Sequence, residues 1–272
     1  MFIVDAQVHI WAASTPGRPW PQGRIKAHRP EPFSKDDLLR EMDAANVHRV
    51  VIVPPSWEGE RNDLGLQAAQ AHPGRFAVVG RLDIRAPGAR NQIGTWRQQP
   101  GMLGLRFLDE IPENSADNWL WTEAEAAGVP IMRSVSATQL PLVDRVAERY
   151  PGLKLAIDNL GIPMDKKDDA AFAHLDSLLA LAKHPNIAVY AKSLPSRTTD
   201  SYPYRRLHPH IRRVYDAFGP RRIFWGTDLT KLTCSYRQAV TMFTEEIPWL
   251  TTEDKEWIMG RGLCEWLGWK LP

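Results

Sequence analysis

The chain opens on MFIVDAQVHIW, where Gln7 and His9 alternate at the end of a short apolar run. Residues two apart on a strand share a face, so this amide and imidazole can meet one ion or one carbonyl together. Imidazole is a strong ligand for zinc-like ions, whereas an amide oxygen is a weak one suited to hard cations. Other chemistry-bearing residues recur at or just past apolar runs: Trp57, Arg81 and Asp83, Arg106, Arg133, Asp158 and Asn159, Lys192, and Asp228. One polar residue at such a place means little, but the series describes a polar pocket lined from several sides. Arg106 and Arg133, with Lys192, suit a small carboxylated substrate, because guanidinium grips carboxylate through two parallel hydrogen bonds. The bland alternative pairs each arginine with a neighbouring acid such as Asp83 or Asp158.

Gathering residues so distant in sequence around one pocket is a task for the fold. Apolar runs begin at Phe2, Arg49, Phe76, Met102, Val129, Lys154, Ile187 and Arg222. Several are continuously apolar, as strands buried on both faces are. Amphipathic patterns separate them, among them SKDDLLREMDAAN with Ser34 as N-cap, QLPLVDRVAERYPG, and AAFAHLDSLLALAKHPN. APGARNQIGTWRQQPG carries the weakest helical signal. Eight strands each followed by a helix, without a linker, predict an α/β fold: one single-domain (β/α)8 TIM barrel over residues 1–272. An open doubly wound sheet would carry a glycine-rich turn after its first strand, and DAQVHIW has no glycine. In a barrel these polar residues fall at the C-terminal strand ends, where active sites are built. The proline-rich segment from Ala13 to Ser34 then lies on the same face, as a lid, a pocket wall or a plain cover. His28 within it can close over the pocket.

The totals exclude more than they assign. A formal charge of +2 is left by nearly equal acids and bases, so neither nucleic acid nor an anionic membrane is expected as partner. No apolar run approaches the roughly 20 residues of a membrane span. Two cysteines, Cys234 and Cys264, fit a reducing, cytoplasmic setting better than a disulfide scaffold. Cys234 could line the pocket but has no adjacent histidine to activate it as a nucleophile.

VDAQVHIW, AIDNLG, VYAKSL and IFWGTDLT, in this order, resemble the motifs of the amidohydrolase superfamily. The match is to its branch of lactonases and decarboxylases that includes 2-pyrone-4,6-dicarboxylate lactonases, and it runs over nearly the whole chain. The resemblance implies an H-x-H pair ending strand one, a histidine near the end of strand six and an aspartate ending strand eight. His9 matches the second histidine and Asp228 the aspartate, whereas Gln7 and Asn159 put neutral amides where the other two histidines stand. One histidine and one carboxylate make a poor transition-metal set. No metal or other cofactor is therefore expected, a single divalent ion such as zinc being the alternative.

The resemblance assigns Asp228 the part of general base toward water. Without an ion, carbonyl polarisation falls to donors such as His9, Gln7, Asn159 and Lys192, each worth roughly 3 kcal/mol in such a role. The expected function is metal-independent hydrolysis of a lactone or activated ester, with Trp57 as a pocket wall. Two alternatives stand beside it: a metal-dependent decarboxylase of the same branch, and a barrel that binds a carboxylated ligand without catalysis. Asp5 is expected to orient its neighbours, His208 and His210 to lie at the surface or cap a helix, and Trp11 and Tyr236 to serve as walls. Arg197 and Tyr202 follow Lys192 in its loop. The C-terminal segment, N-capped by Thr252, is expected to close the barrel's underside, and its tryptophans offer a homodimer contact.

Overall fold

Eight parallel strands form where the apolar runs stand, in a computed structural model that describes residues 1–23, 26–108 and 119–272. They are β1 (Val4–Val8), β2 (Arg49–Ile52), β3 (Phe76–Arg81), β4 (Met102–Phe107), β5 (Ile131–Arg133), β6 (Leu155–Ile157), β7 (Ile187–Lys192) and β8 (Ile223–Gly226). Each pairs with the next in sequence, so the order runs β1 to β8 with no strand skipped. The chain past β8 returns to β1 through the Asp228 amide, which donates to the Gln7 carbonyl at 3.0 Å. This is the (β/α)8 barrel that the alternation of strand and helix patterns predicts.

The outer layer includes helices α1 (Lys35–Ala45), α2 (Asp63–Ala71), α3 (Ala89–Thr95), α4 (Trp119–Ala126) and α5 (Leu140–Arg149). Helix α1 starts at a reciprocal capping box between Ser34 and Asp37, as its sequence predicts. The pattern after β6 departs from expectation. Instead of one helix it forms two short ones, Asp168–Ala171 and Leu175–Leu179. The break falls where His174 turns its ring to the Leu160 carbonyl (2.8 Å) and Phe172 stacks on His210 (4.0 Å). Tertiary contacts override the helical period there.

The barrel lumen is filled from below. Val4, Ala6, Val51, Val53, Val79, Met132, Ala156, Tyr190 and Phe224 meet Leu263, Cys264, Trp266 and Leu267 of the C-terminal helix, which closes the underside. The cap of this segment is Thr251 rather than Thr252, because the spacing Thr251-x-x-Asp254 closes the capping box. Two of its tryptophans are covered within the chain: Trp257 and Trp266 are buried, and Arg221 and Arg261 lie over the Trp257 ring, whereas Trp269 is half-buried. No helix among the described residues is long and apolar enough to cross a membrane.

A kink in β1 decides where the chemistry points. Val4 and Ala6 face the lumen, yet Val8 packs in the outer core, while Gln7 and His9 line a cavity at the mouth. The β1–β2 register slips between Asp5 and Val8. An irregularity of this kind re-aims the residues that follow it. It turns Gln7 and His9 inward above Ala6.

Candidate active site

A cavity of about 220 Å³ opens at the C-terminal strand ends. Gln7, His9, Trp57, Arg106, Asn159, Lys192 and Asp228 all line it, as do Arg81 and Asp158. Arg133 does not. Met132 faces the lumen, so alternation sends Arg133 outward, where its guanidinium lies over Phe107 (4.8 Å) and it lines a separate hollow with Trp121 and Leu142. Asp83 also stays away from the cavity and lies near Arg85.

Three strand ends present their residues through left-handed backbone. Asn159 (φ 49°), Ser193 (φ 55°) and Asp228 (φ 52°) follow β6, β7 and β8. Such conformations carry a cost for residues with a side chain, and Asn and Asp tolerate them best. At these three ends the turn brings the residue to the cavity wall.

A buried ion network forms the floor. Asp158 receives Arg106 Nη2 at 2.7 Å and Lys192 Nζ at 3.1 Å, and Lys192 lies 3.9 Å from Asp228. Burial opposes the charge on Asp158, but Arg106 and then Lys192 outweigh it and hold the carboxyl below the usual range. Burial likewise pulls the Lys192 ammonium down from its usual value, against Asp158 and Asp228. Arg106 is thus committed to Asp158, and it also donates to the Gln7 side-chain oxygen.

His9 is fixed by its outer nitrogen. Nδ1 lies 2.5 Å from the Val53 carbonyl, which can only accept, so Nδ1 carries the proton. Nε2 then offers a lone pair toward Asp228 Oδ1 at 3.4 Å, with the Gln7 amide nitrogen at 3.4 Å. Burial, with help from Arg106, lowers the His9 pKa to about 4 despite Asp228, so the ring is neutral at pH 7. Burial also opposes charge on Asp228, but Lys192 above all, with Lys231, holds its carboxyl well below the usual range. Asp228 Oδ1 is buried without a hydrogen-bond partner.

His28 does reach the cavity from the long loop. Its Nδ1 meets Thr230 Oγ1 at 2.7 Å, and its ring packs edge-on against Trp57 (4.6 Å) and His9 (5.5 Å). Burial lowers its pKa to about 3. The loop is anchored where Arg18 pairs with Glu58 (2.9 Å) and Asp63 (2.6 Å), and where Trp11 and Phe33 exchange backbone hydrogen bonds. Arg24 and Ile25 of this loop lie outside the described residues. One ligand atom each from His9, His28 and Asp228 lies within 4.8 Å of the others. Two neutral imidazoles and a carboxylate are a donor set that fits a zinc-like ion. The strand-end motifs offer one histidine to an ion, and the fold brings in a second from the loop.

Other residues sort by what they touch. Asp5 supports the site from behind: it accepts from the backbone of Gln7 and Thr227 (3.0 Å each), from the Thr227 hydroxyl and from Tyr236 Oη (2.9 Å). Tyr236 is therefore an anchor for Asp5 instead of a cavity wall, and Trp11 stands one layer out, against Trp57 (5.3 Å). Tyr202 bonds Thr241 and Cys234 meets Tyr204, so neither lines the cavity. His210 pairs with Asp169 on the surface. Arg197 does line the cavity; it donates to the Met164 carbonyl (2.9 Å) and lies near Met164 Sδ, its Nε is buried without a partner, and no carboxylate lies within ion-pair range among the described residues. Lys231 joins it on the rim. Thr227, Thr230 and Lys231 flank Asp228 in GTDLTK, and that adjacency was the only sequence signal for them.

Comparison with known proteins agrees with the motif resemblance. The family described as Amidohydrolase matches residues 4–261. An L-fucono-1,5-lactonase from Burkholderia ambifaria is 26% identical over 235 residues, covering 84% of this chain and 80% of the relative. A 4-sulfomuconolactone hydrolase from Hydrogenophaga intermedia is 23% identical over 235 residues, covering 82% and 73%. Among solved structures, a zinc-bound amidohydrolase from Burkholderia multivorans superposes with a TM-score of 0.81 at 22% identity, covering 100% of both chains.

Proposed function

The chain belongs to the amidohydrolase family, and from that premise we propose that it hydrolyses the C–O bond of a small carboxylated lactone, with Asp228 as base toward water. The observation that carries this reading is Asp228 itself. It is ionised and 5% exposed, one oxygen lacks a hydrogen-bond partner, and it faces a cavity lined by polar side chains. The relatives named lactonase and lactone hydrolase support the bond type.

In this mechanism a water on the cavity side of Asp228 Oδ1 and His9 Nε2, within reach of both, gives its proton to the carboxylate as its oxygen bonds to the carbonyl carbon. Lys192 stabilises the charge that develops on the carbonyl oxygen. The tetrahedral intermediate collapses by breaking the ring C–O bond, and the leaving alkoxide takes the proton back from Asp228. A carboxylate held so far below its usual range is a weak base, which suits an electrophilic lactone and not an ordinary amide. A divalent ion, when held by His9, His28 and Asp228, would supply Lewis acidity and a more acidic water.

Arg106 is spent on Asp158, so the substrate carboxylate falls to Arg197, with Lys231 beside it. The test is a panel of five- and six-membered lactones with and without a carboxylate, given to wild type and Asp228→Asn. Asparagine tolerates the left-handed backbone at 228, so the fold should survive. Turnover should fall by about a thousandfold or more, as loss of a working acid–base group does, while ligand binding persists. A variant that retains turnover would remove Asp228 from the mechanism, and release of carbon dioxide from carboxylated substrates would favour the decarboxylase instead.

A further inference from the structure

Beyond His9, the connection from β1 to α1 carries one further histidine, His28, and that ring is held against the site at a definite place. Three lone-pair groups converge there: the nitrogens of His9 and His28 and the carboxylate of Asp228, all within 4.8 Å. Because the His9 proton is committed to the Val53 carbonyl, His9 Nε2 and Asp228 Oδ1 face each other at 3.4 Å as two acceptors with no proton between them. Asp228 Oδ1 is buried and has no hydrogen bond. The Gln7 amide, at 3.4 Å from His9 Nε2, is too far for a strong bond. Facing acceptors in a buried site repel unless something positive lies between them.

We propose that His28 replaces the ligand missing from the first strand, completing with His9 and Asp228 a divalent-cation site that couples metal binding to the seating of the loop. Both rings are held at Nδ1, His9 by the Val53 carbonyl and His28 by Thr230 Oγ1 at 2.7 Å, and an imidazole that ligates through Nε2 is oriented by such a bond on its other nitrogen. Two imidazoles and one carboxylate select a zinc-like ion over magnesium or calcium and leave a coordination position open. Arg106 and Lys192 oppose a further cation, and Asp158, at 2.7 and 3.1 Å, offsets one of their two charges. Lys192, 3.9 Å from Asp228, is the remaining competitor. The inference draws on the hydrolase reading for the use of the ion and not for its binding.

The test measures metal, not turnover. Chelator-stripped full-length protein is titrated with zinc, and with cobalt(II), whose visible absorption reports coordination. Wild type should take up one ion per chain. His28→Ala should weaken binding by about a hundredfold and change the cobalt spectrum. Thr230→Val, which removes only the partner of the His28 ring, should weaken it by about 10–100-fold. Lys192→Met should tighten it, and His210→Ala, on the surface, should leave it unchanged. Limited proteolysis of the loop should slow when zinc is added to wild type and not to His28→Ala. Absence of stoichiometric uptake, or equal affinity in His28→Ala with its circular dichroism intact, overturns the proposal. Lactone hydrolysis by protein that takes up no zinc would sink this site while leaving the hydrolase reading intact, and zinc uptake without turnover of any lactone would do the reverse.

Discussion

Asp158→Asn removes the one charge that two buried cations share, and its consequences can be worked out. Arg106 lies at 2.7 Å and Lys192 at 3.1 Å, with side chains 11% and 5% exposed. Deleting one partner of a buried pair costs about 3–5 kcal/mol, because an uncompensated charge stays in a poor solvent. Asparagine keeps an oxygen for Arg106, and Lys192 keeps Asp228 at 3.9 Å and can shed its proton, so the lower end applies, about 3 kcal/mol. For a chain of this size that lowers the unfolding midpoint by roughly 6–12 °C. The deficit must also depend on pH. Burial already lowers the folded-state pKa of Lys192, and losing Asp158 lowers it further, so over a longer span of pH the unfolded state binds the extra proton. Stability then rises with pH through that span, and more in the variant than in wild type. Differential scanning calorimetry at pH 7 and pH 9 should show the larger deficit at pH 7. A drop below about 2 °C, equal at both values, would mean that Asp158 is not ionised in the folded protein, and the network described above would be wrong.

Arg197→Met should raise KM for carboxylated lactones by roughly 10–100-fold, the worth of a charged hydrogen bond, while kcat and the KM of uncharged lactones stay near wild type; equal loss on both substrate classes would make Arg197 a scaffold residue. His9, neutral in the fold with its pKa near 4, binds a proton on unfolding at any pH between there and its ordinary 6.5. Stability should therefore fall as pH drops through that window, by up to about 3 kcal/mol, and urea titrations of His9→Gln should lack that share of the loss. The same protonation sets the acid limb of kcat/KM near pH 4 to 5, below that of a histidine of ordinary pKa.

The barrel was legible because strands buried on both faces write themselves as apolar runs, and the residues ending them had to converge. Side-chain direction was legible only where alternation stayed in phase. Arg133 is the instructive case: with Met132 facing the lumen, the residue after it must face out, whereas Leu105 packs in the outer core and sends Arg106 inward. The slip in β1 was hidden, since nothing in DAQVHIW tells an in-phase strand from a kinked one. His28 was hidden for another reason. A loop has no period, and its ring is placed by Thr230 and Trp57, residues brought near only by the closed barrel.

Gln7 looks like damage when strand one is read alone, yet its surroundings give it work that a histidine would do badly. Its oxygen accepts from Arg106, and its amide nitrogen points at His9 Nε2. Arg106 in turn reaches Asp158, which holds Lys192 beside Asp228. One amide thus joins the cationic side of the site to the imidazole, because it can accept at one end and donate at the other without carrying charge. An imidazole there would have to offer its lone pair to either Arg106 or an ion, and an ion held at that position would lie against a guanidinium. With Arg106 turned inward, position 7 favours a neutral linker, and any second nitrogen ligand has to come from outside the strand ends. The loop over the mouth is where this sequence supplies one.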